Sequence, residues 1–422
     1  MKPTYFEKIE LLYMDGLLKG LVKQKIFGRD SRAVIGLKIS SIRQDESSFE
    51  EKVDSIEQIL HKNLGKPQTS SFWHNISELM VISGKELDEG NAHDLKTILD
   101  SQNVTRWQYF ILEFILILNG LFLYADICRS SFYEKMLKDY EVGNLRKDNS
   151  LSVFWSCITK NDESALSVIN RAIKFAGFER NRKKLLFIKE ILAVENTFRS
   201  LQISHGDEEF FACIHGKNVM LVGPAFSGNI NEFLVDHDVL INLNYRGNMS
   251  IDKETDSRIV LISYYNEEAS RHINNLEDQS FLQSLKFAVF KKIEFGYQKQ
   301  MKKSKRGRTL ESLDGLIIGG QPNMLQETLF DLLHFSPKKI SIVGFTLYLG
   351  KQIYNQNYAI SDRMFVEEKR RLAFSIHNII TQYEFLRFLS NQRLIEVVDD
   401  PLKSVLATSR SEYIAEFNRC YG

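Results

Sequence analysis

The sequence predicts an α/β protein in which an all-helical domain, residues 1–205, precedes a parallel-sheet domain, residues 206–422. In the first part apolar residues recur at helical spacing, and no proline lies between Pro67 and Pro224, so helices meet no breaker there. After residue 206 the pattern changes to short apolar runs closed by glycine or proline, with helical segments between them. Strands that alternate with helices in this way are typical of a parallel sheet covered on both faces.

Composition limits the classes of function. The chain has 422 residues, of which 43% are hydrophobic and 26% charged, as in an ordinary folded protein. Its formal net charge is +1, so we expect no nucleic-acid partner held by an overall field. The four cysteines lack CxxC spacing, and the N-terminus lacks the apolar core of a signal peptide. We therefore expect reduced thiols and a cytoplasmic protein, with peripheral contact at the inner membrane as an open alternative.

The helical part contains one strongly apolar segment, residues 109–125, which includes Glu113 and Asn119. An ionisable residue inside a membrane-spanning helix is costly, so this segment is predicted to be buried or to lie against a partner or membrane surface. The helices predicted in this part are 6–17, 49–60, 71–84, 94–100, 104–128, 130–140, 151–158, 162–177 and 179–201. Acceptor binding, oligomerisation and membrane contact all remain open as the role of this part.

In the second part, strands are predicted where apolar residues follow one another, and the arrangement is Rossmann-like. The predicted strands are 218–222, 239–243, 258–263, 315–318 and 339–343. The predicted helices are 230–235, 280–299, 325–334 and 363–391. The segment 302–308 has five basic residues in seven and is predicted to be a loop. Its partner could be an acidic glycan or the acidic surface of a membrane.

The strongest functional signal is VGPAFSG at residues 222–228, where a predicted strand ends in a glycine turn. Such a turn places backbone N–H groups, the Ser227 hydroxyl and a helix N-terminus at the carboxyl edge of the sheet, where phosphates bind. We expect Gly223, Pro224, Ser227 and Gly228 to form this site. A tight turn whose glycines serve packing is the alternative, since neither dinucleotide nor P-loop spacing is present.

Polar residues flank the next predicted strand, 239–243, on both sides. Asp236-His237-Asp238 has the form of a metal-binding DxD, but it precedes the strand and should lie at the opposite edge, so no metal site is predicted. Asn244 follows the strand and should lie beside the Gly223 turn. There its amide could bind a base or ribose, or could simply form a turn.

A second glycine-rich turn, GGQPNM at residues 319–324, repeats the order of strand, turn, helix and strand. Gly319, Gly320, Gln321 and Asn323 are therefore predicted to form a second backbone cradle facing the first. His334 ends the helix that follows, where the helix dipole favours an imidazolium.

Together these segments resemble the sialyl motifs of CMP-dependent sialyltransferases. Residues 222–228 with 237–244 resemble the large motif, and residues 319–324 with 340–345 resemble the small motif. The resemblance implies the sialyltransferase-type variant of the fold and an inverting transfer of an acidic sugar, sialic acid or Kdo, from a CMP donor. It requires no cofactor beyond this CMP-sugar substrate.

The resemblance also implies a general base and an acceptor. A histidine in the C-terminal third removes the acceptor's hydroxyl proton in that family, and His377 occupies the similar position here, with His334 as second candidate. The acceptor would be an oligosaccharide or glycolipid of bacterial capsule or lipo-oligosaccharide synthesis, and the protein could be a homo-oligomer. A metal-dependent UDP-sugar transferase and a non-enzymatic nucleotide-binding or scaffold protein are the alternatives.

Overall fold

A computed structural model describes the central and C-terminal parts of the chain in most detail. The longer described stretches are 89–101, 120–141, 207–245, 257–266, 280–291, 307–310, 322–349 and 377–421. The shorter ones are 104, 108–109, 112–113, 116–117, 186, 269–270, 273 and 373–374. The predicted helices 6–17, 49–60, 71–84, 151–158 and 162–177, nearly all of 179–201, and the predicted strand 315–318 lie outside the described residues.

The centre of the fold is a seven-stranded sheet in which every described pair of neighbouring strands is parallel. The strands are β1 (Asn218–Val222), β2 (Val239–Leu243), β3 (Val260–Tyr265), β4 (Phe287–Lys291), β5 (Gly307–Leu310), β6 (Lys339–Val343) and β7 (Glu396–Val397). Their order across the sheet is β5-β4-β3-β2-β1-β6-β7. The α/β class and the Rossmann-like parallel sheet are therefore confirmed.

Successive residues of each strand are buried on opposite faces, which explains why the strands are continuous apolar runs. In β1, Val219 and Leu221 join the larger hydrophobic cluster, whereas Met220 and Val222 join a smaller one on the other face. The same alternation holds in β4, where Phe287 faces the larger cluster. Both faces of the sheet are thus covered.

The described residues include a 3₁₀ turn, Ile230–Phe233, and eight α-helices. They are α1 (Glu89–Ser101), α2 (Phe122–Glu141), α3 (Glu208–Ile214), α4 (Phe281–Ser284), α5 (Met324–His334), α6 (Ile379–Asn391), α7 (Asp400–Ala407) and α8 (Arg410–Tyr421). Apolar residues of α1 and α2 share the larger cluster with the sheet and with α5, α6 and α8. Helices that precede residue 205 therefore pack in the same core as the sheet.

The chain order creates a switch point between β1 and β6. From β1 to β5 the strands are added on one side, and the chain then returns to place β6 on the other side of β1. In open parallel sheets, ligands bind beyond the carboxyl ends of the strands at such a point. Helices α5 and α6 end a few residues before β6 and β7 begin, so their N-termini lie toward this carboxyl edge.

Predicted strands 218–222, 239–243 and 339–343 are confirmed, and the helix predicted at 325–334 is α5. The helix predicted at 280–299 is wrong, because this stretch contains α4 and then β4. In β4 the apolar residues are consecutive, and a short run of this kind has no period that separates a buried strand from a buried helix. The strand predicted at 258–263 begins two residues later, and the helix predicted at 230–235 is a 3₁₀ turn.

Two helices predicted as continuous are interrupted. Gly120, with a φ of 75°, ends the helical turns before it, and its N–H and that of Leu121 donate to the carbonyls of Ile117 and Leu116. This is a Schellman motif, so α2 begins at Phe122 and runs through the break predicted between 128 and 130. Asn378, with a φ of 44°, interrupts the segment predicted at 363–391.

An ion-pair network connects β5 and the start of α3 with α5. Arg308 donates to both carboxylate oxygens of Asp331 at 2.5 and 2.9 Å and to Asp207 at 2.5 Å, and Tyr264 donates to Asp331 at 2.6 Å. The guanidinium also lies over the rings of Phe210 and Phe335. Gly307 and Arg308 belong to β5 and not to the loop predicted at 302–308, and the charge of Arg308 is used inside the fold. Residues 302–306 of that segment lie outside the described residues.

In the part of the chain that the structure describes, no helix has the length and apolarity needed to span a bilayer. Glu113 in the apolar segment is buried beside Arg129, which accounts for a charged residue at that position. Cys128, Cys213 and Cys420 carry free thiols.

Replacing Arg308 by Gln should lower the free energy of unfolding by about 3–5 kcal/mol, because Asp331 is left buried without its counter-charge. Urea unfolding of both proteins measures this difference. As a control, Lys339→Gln breaks the half-exposed pair with Glu396 and should cost at most about 1 kcal/mol. Equal losses in the two variants would contradict a structural role for the Arg308 network.

Candidate functional site

The glycine turn after β1 meets the loop after β6 at the switch point. Gly223 donates from its N–H to Val343 O at 2.7 Å, and Ala225 donates to Gly344 O at 3.0 Å. A Cβ atom at Gly223 would overlap the carbonyl of Gly344, and one at Gly344 would overlap Phe226. Both glycines are therefore required for the close approach of the loop after β1 to the loop after β6. The packing role considered for the glycine turn is thus observed.

The rest of this turn is more open. Pro224 is half-buried, whereas Ser227 and Gly228 are exposed at the carboxyl edge. The helix expected to follow is only the 3₁₀ turn, capped by the side chain of Asn229. Any anion here would consequently be held by the Ser227 hydroxyl and loop amides, with little help from a helix dipole.

Asn244 lies where the sequence predicts, just after β2 and beside the Gly223 turn. It has a φ of 58°, and its side-chain oxygen accepts from Asn266 N at 3.0 Å. Asn266 follows β3 at the same edge, and its own oxygen accepts from Ala269 N at 2.7 Å. The turn-forming role of Asn244 is thus observed, and it orients two amides at the carboxyl edge.

The structure brings Asn323 and His377 together through Gln382. Asn323 caps α5 and donates from Nδ2 to Gln382 Oε1 at 2.6 Å, while Gln382 Nε2 donates to His377 O at 2.9 Å. His377 is half-buried just before the N-terminus of α6. The other residues predicted for the second cradle, Gly319, Gly320 and Gln321, lie outside the described residues.

His334 is not brought to this edge. It is the last residue of α5, about 16 Å along the helix axis from Asn323, and its ring packs edge-on against Phe335. Its proposed role as a second base therefore lacks the required location, since the C-terminus of α5 points toward the amino edge of the sheet.

The Asp236-His237-Asp238 motif also lies at the amino edge. Asp238 Oδ2 accepts from Asn218 N at 2.9 Å, at the start of β1. The ring of His237 is buried, and this burial lowers the pKa of its imidazole. These residues join the starts of β1 and β2.

Asp399 is a residue of the edge that sequence reasoning missed. It follows β7, and its Oδ2 accepts from Gly344 N at 2.9 Å. Its Oδ1 is buried without a hydrogen-bond donor among the described residues, and burial raises the pKa of this carboxyl. The Asp-Asp-Pro sequence after two valines was the available signal, because it is typical of a helix start beyond a strand.

The loop after β6 contains a strained turn. Leu347 and Tyr348 both have positive φ, 47° and 65°, and Leu349 N donates to Thr346 O at 2.9 Å. Left-handed backbone is uncommon for such residues and must be held by its surroundings. Two tyrosines of α8 do this, since Tyr413 donates to Leu347 O and Tyr421 donates to Tyr348 O.

Replacing Gly344 by Ala should lower the free energy of unfolding by about 2–4 kcal/mol, because it combines positive φ with overlap against Phe226. Gly216→Ala is a matched control, since Gly216 also has positive φ but has no atom within 4 Å of the added Cβ. It should cost only about 1–2 kcal/mol. Chemical denaturation compares the two, and equal losses would show that the loops do not approach closely.

Asp399→Asn should make the protein more stable at pH 8, because the carboxyl's raised pKa means that its charged form is penalised in the fold. The gain should shrink as pH falls through the raised pKa and vanish below about 3, where the wild-type carboxyl is protonated in both folded and unfolded states. Unfolding curves at pH 8 and 5 measure this. As a control, Asp400→Asn changes a neighbouring side chain that is 96% exposed, and it should not give this pH-dependent gain in stability. A loss of stability at pH 8 in Asp399→Asn would contradict the idea that the fold disfavours the charged carboxylate.

Comparison of the chain with protein-family models, with curated proteins and with solved structures gives no match.

Proposed function

We propose that the protein is an inverting glycosyltransferase that moves an acidic sugar, such as sialic acid or Kdo, from a CMP-sugar to a glycan acceptor. The acceptor would be an oligosaccharide or glycolipid of bacterial capsule or lipo-oligosaccharide synthesis. The proposal rests on the motif resemblance together with the positions of the motif residues in the fold.

The observation that carries the proposal is the chain of hydrogen bonds from Asn323 through Gln382 to His377. It joins the second glycine-rich segment to the candidate base at the edge where the Gly223 turn also lies. Parallel sheets bind nucleotides at this edge, near the switch point. A free imidazole changes protonation near neutral pH, so histidine is a residue type suited to accept a proton from a hydroxyl.

In the proposed reaction, a ring nitrogen of His377 takes the proton of the acceptor hydroxyl as its oxygen forms a bond to the anomeric carbon of the sugar. The bond from that carbon to the phosphate oxygen breaks on the opposite side, and CMP leaves with the electron pair. The exposed Ser227 hydroxyl and the loop amides would donate hydrogen bonds to the leaving phosphate. Asn244 and Asn266 would contact the nucleoside at the neighbouring strand ends.

The UDP-sugar alternative has less support. It would use Asp236 and Asp238 as metal ligands, yet Asp238 accepts a backbone hydrogen bond at the start of β1. The motif is thus separated from His377 by the length of the strands. The proposal includes a cytoplasmic location, peripheral contact with the membrane that carries the acceptor, and homo-oligomerisation.

The test is transfer from CMP-sugars together with a thermal-shift screen of CMP, UDP and GDP. We expect CMP to raise the Tm of wild type and of His377→Ala alike, because a ligand bound only to the native state stabilises it. Transfer should fall by about 10²–10⁴-fold in His377→Ala, since the base is lost. His93→Ala, on the exposed surface of α1, should retain full activity.

Unchanged transfer in His377→Ala would remove His377 from the mechanism. A Tm shift with UDP, and activity restored by manganese after chelation, would favour the metal-dependent alternative. Absence of any nucleotide effect would favour a scaffold protein.

A further inference from the structure

We propose that Glu113 and Arg129, which precede His377 by more than half of the chain, act as positioning residues for that histidine. The inference rests on the proposed role of His377 as the base. It gives the described helices before residue 205 a specific task, because their charged side chains hold the start of α6.

The first contact is made to the residue directly after His377. Asn378 has a φ of 44° and caps α6 by accepting from Thr381 N at 3.1 Å. Its Nδ2 donates to Glu113 Oε1 at 3.0 Å, across 265 residues of sequence. Both groups of the Asn378 amide are thus engaged, one within α6 and one outside it.

The second contact holds the first turn of α6. Arg129 Nε donates to Glu113 Oε1 at 2.6 Å, and its Nη1 donates to Thr381 Oγ1 at 2.6 Å. Arg129 therefore joins the glutamate that holds Asn378 to a second residue of the same turn. Two points on one helical turn fix both its position and its rotation.

These groups are nearly inaccessible: Glu113 is 3% exposed, Arg129 2% and Asn378 1%. Buried charges that are paired and hydrogen-bonded have little freedom to adopt other arrangements, since any other arrangement would leave a charge unpaired. The contacts therefore restrain α6 tightly.

The network of buried charged groups continues along α6 and includes α8, the last described helix. Tyr133 donates to Glu384 Oε2 at 3.1 Å, and Arg410 of α8 pairs with Glu384 at 3.1 Å and with Asp126 of α2. Burial raises the pKa of Glu384 despite its two cationic neighbours. Side chains of α2 and α8 thus bind the second turn of α6, as Glu113 and Arg129 bind the first.

The consequence for His377 follows from the backbone. A non-glycine residue with positive φ relaxes toward negative φ unless it is held, and such a change at Asn378 would redirect the chain at His377. Gln382 contacts His377 at its backbone carbonyl. The Glu113 contact contributes to keeping Asn378 in its unusual conformation, and displacement of a base by about 1 Å can cost roughly 100-fold in rate.

The experiment uses the full-length chain with Asn378→Ser and Thr381→Val. Serine at 378 retains an oxygen that can cap α6 but lacks the longer side-chain amide whose Nδ2 donates to Glu113. Valine at 381 loses the acceptor for Arg129 while keeping the side-chain shape. Tyr264→Phe is the matched control, because it removes a buried hydroxyl from the separate Arg308 network.

We expect kcat for transfer from the CMP-sugar to fall roughly 10- to 100-fold in Asn378→Ser and Thr381→Val, with KM for the donor unchanged. Independently of activity, the ¹³C NMR signal of the His377 ring, assigned by its loss in His377→Ala, should shift in both variants. The Tyr264→Phe control should change neither readout.

If Asn378→Ser does not fold, the kcat and the His377 signal of Thr381→Val test the positioning role. A His377 signal identical to wild type in the folded variants would overturn the positioning role, and so would an equal shift in Tyr264→Phe. Absence of transfer in wild type would refute the proposed function instead, and the NMR comparison would still decide whether Glu113 and Arg129 position His377.

Discussion

All seven described strands run in one direction, so every loop that leaves a strand reaches the same edge of the sheet. The long returning helices α5 and α6 begin near that edge for the same reason. Polar residues that are far apart in sequence, such as Ser227, Asn244, Asn323 and His377, therefore converge without any local signal that joins them. The position of the candidate site is a consequence of strand direction.

The carboxyl edge also holds most of the unusual backbone. Among the six described non-glycine residues with positive φ, four lie there: Asn244, Leu347, Tyr348 and Asn378. Each is held by hydrogen bonds with another part of the fold: the tyrosines of α8 donate to the carbonyls of Leu347 and Tyr348, and the Glu113 carboxylate accepts from the side chain of Asn378. Strain of this kind persists only where the surroundings determine it, and it is commonly found at functional sites.

Two buried charge networks stabilise different parts of the fold. Arg308 and Asp331 join the edge strand β5 to α5, and the hydrogen bonds described above for this pair do not involve His377. Glu113, Arg129, Glu384 and Arg410 join helices α2, α6 and α8 around the start of α6. Because removing one partner of a buried ion pair leaves an uncompensated charge, the second network is suited to holding one helix position.

The sequence by itself determined the α/β class, the exact bounds of three strands, and helix α5. It also placed Asn244 and the DxD motif at opposite edges of the sheet. Runs of apolar residues and chain order are sufficient for these predictions because both can be read along the sequence. It did not separate β4 from a helix, since a short buried run has no diagnostic period. Only the tertiary structure decided that Arg308 is an internal ion-pair partner, that Gly223 and Gly344 touch, and that Asp399 and Glu113 belong near the candidate site. Those facts depend on contacts between distant parts of the chain, which no spacing along the sequence records.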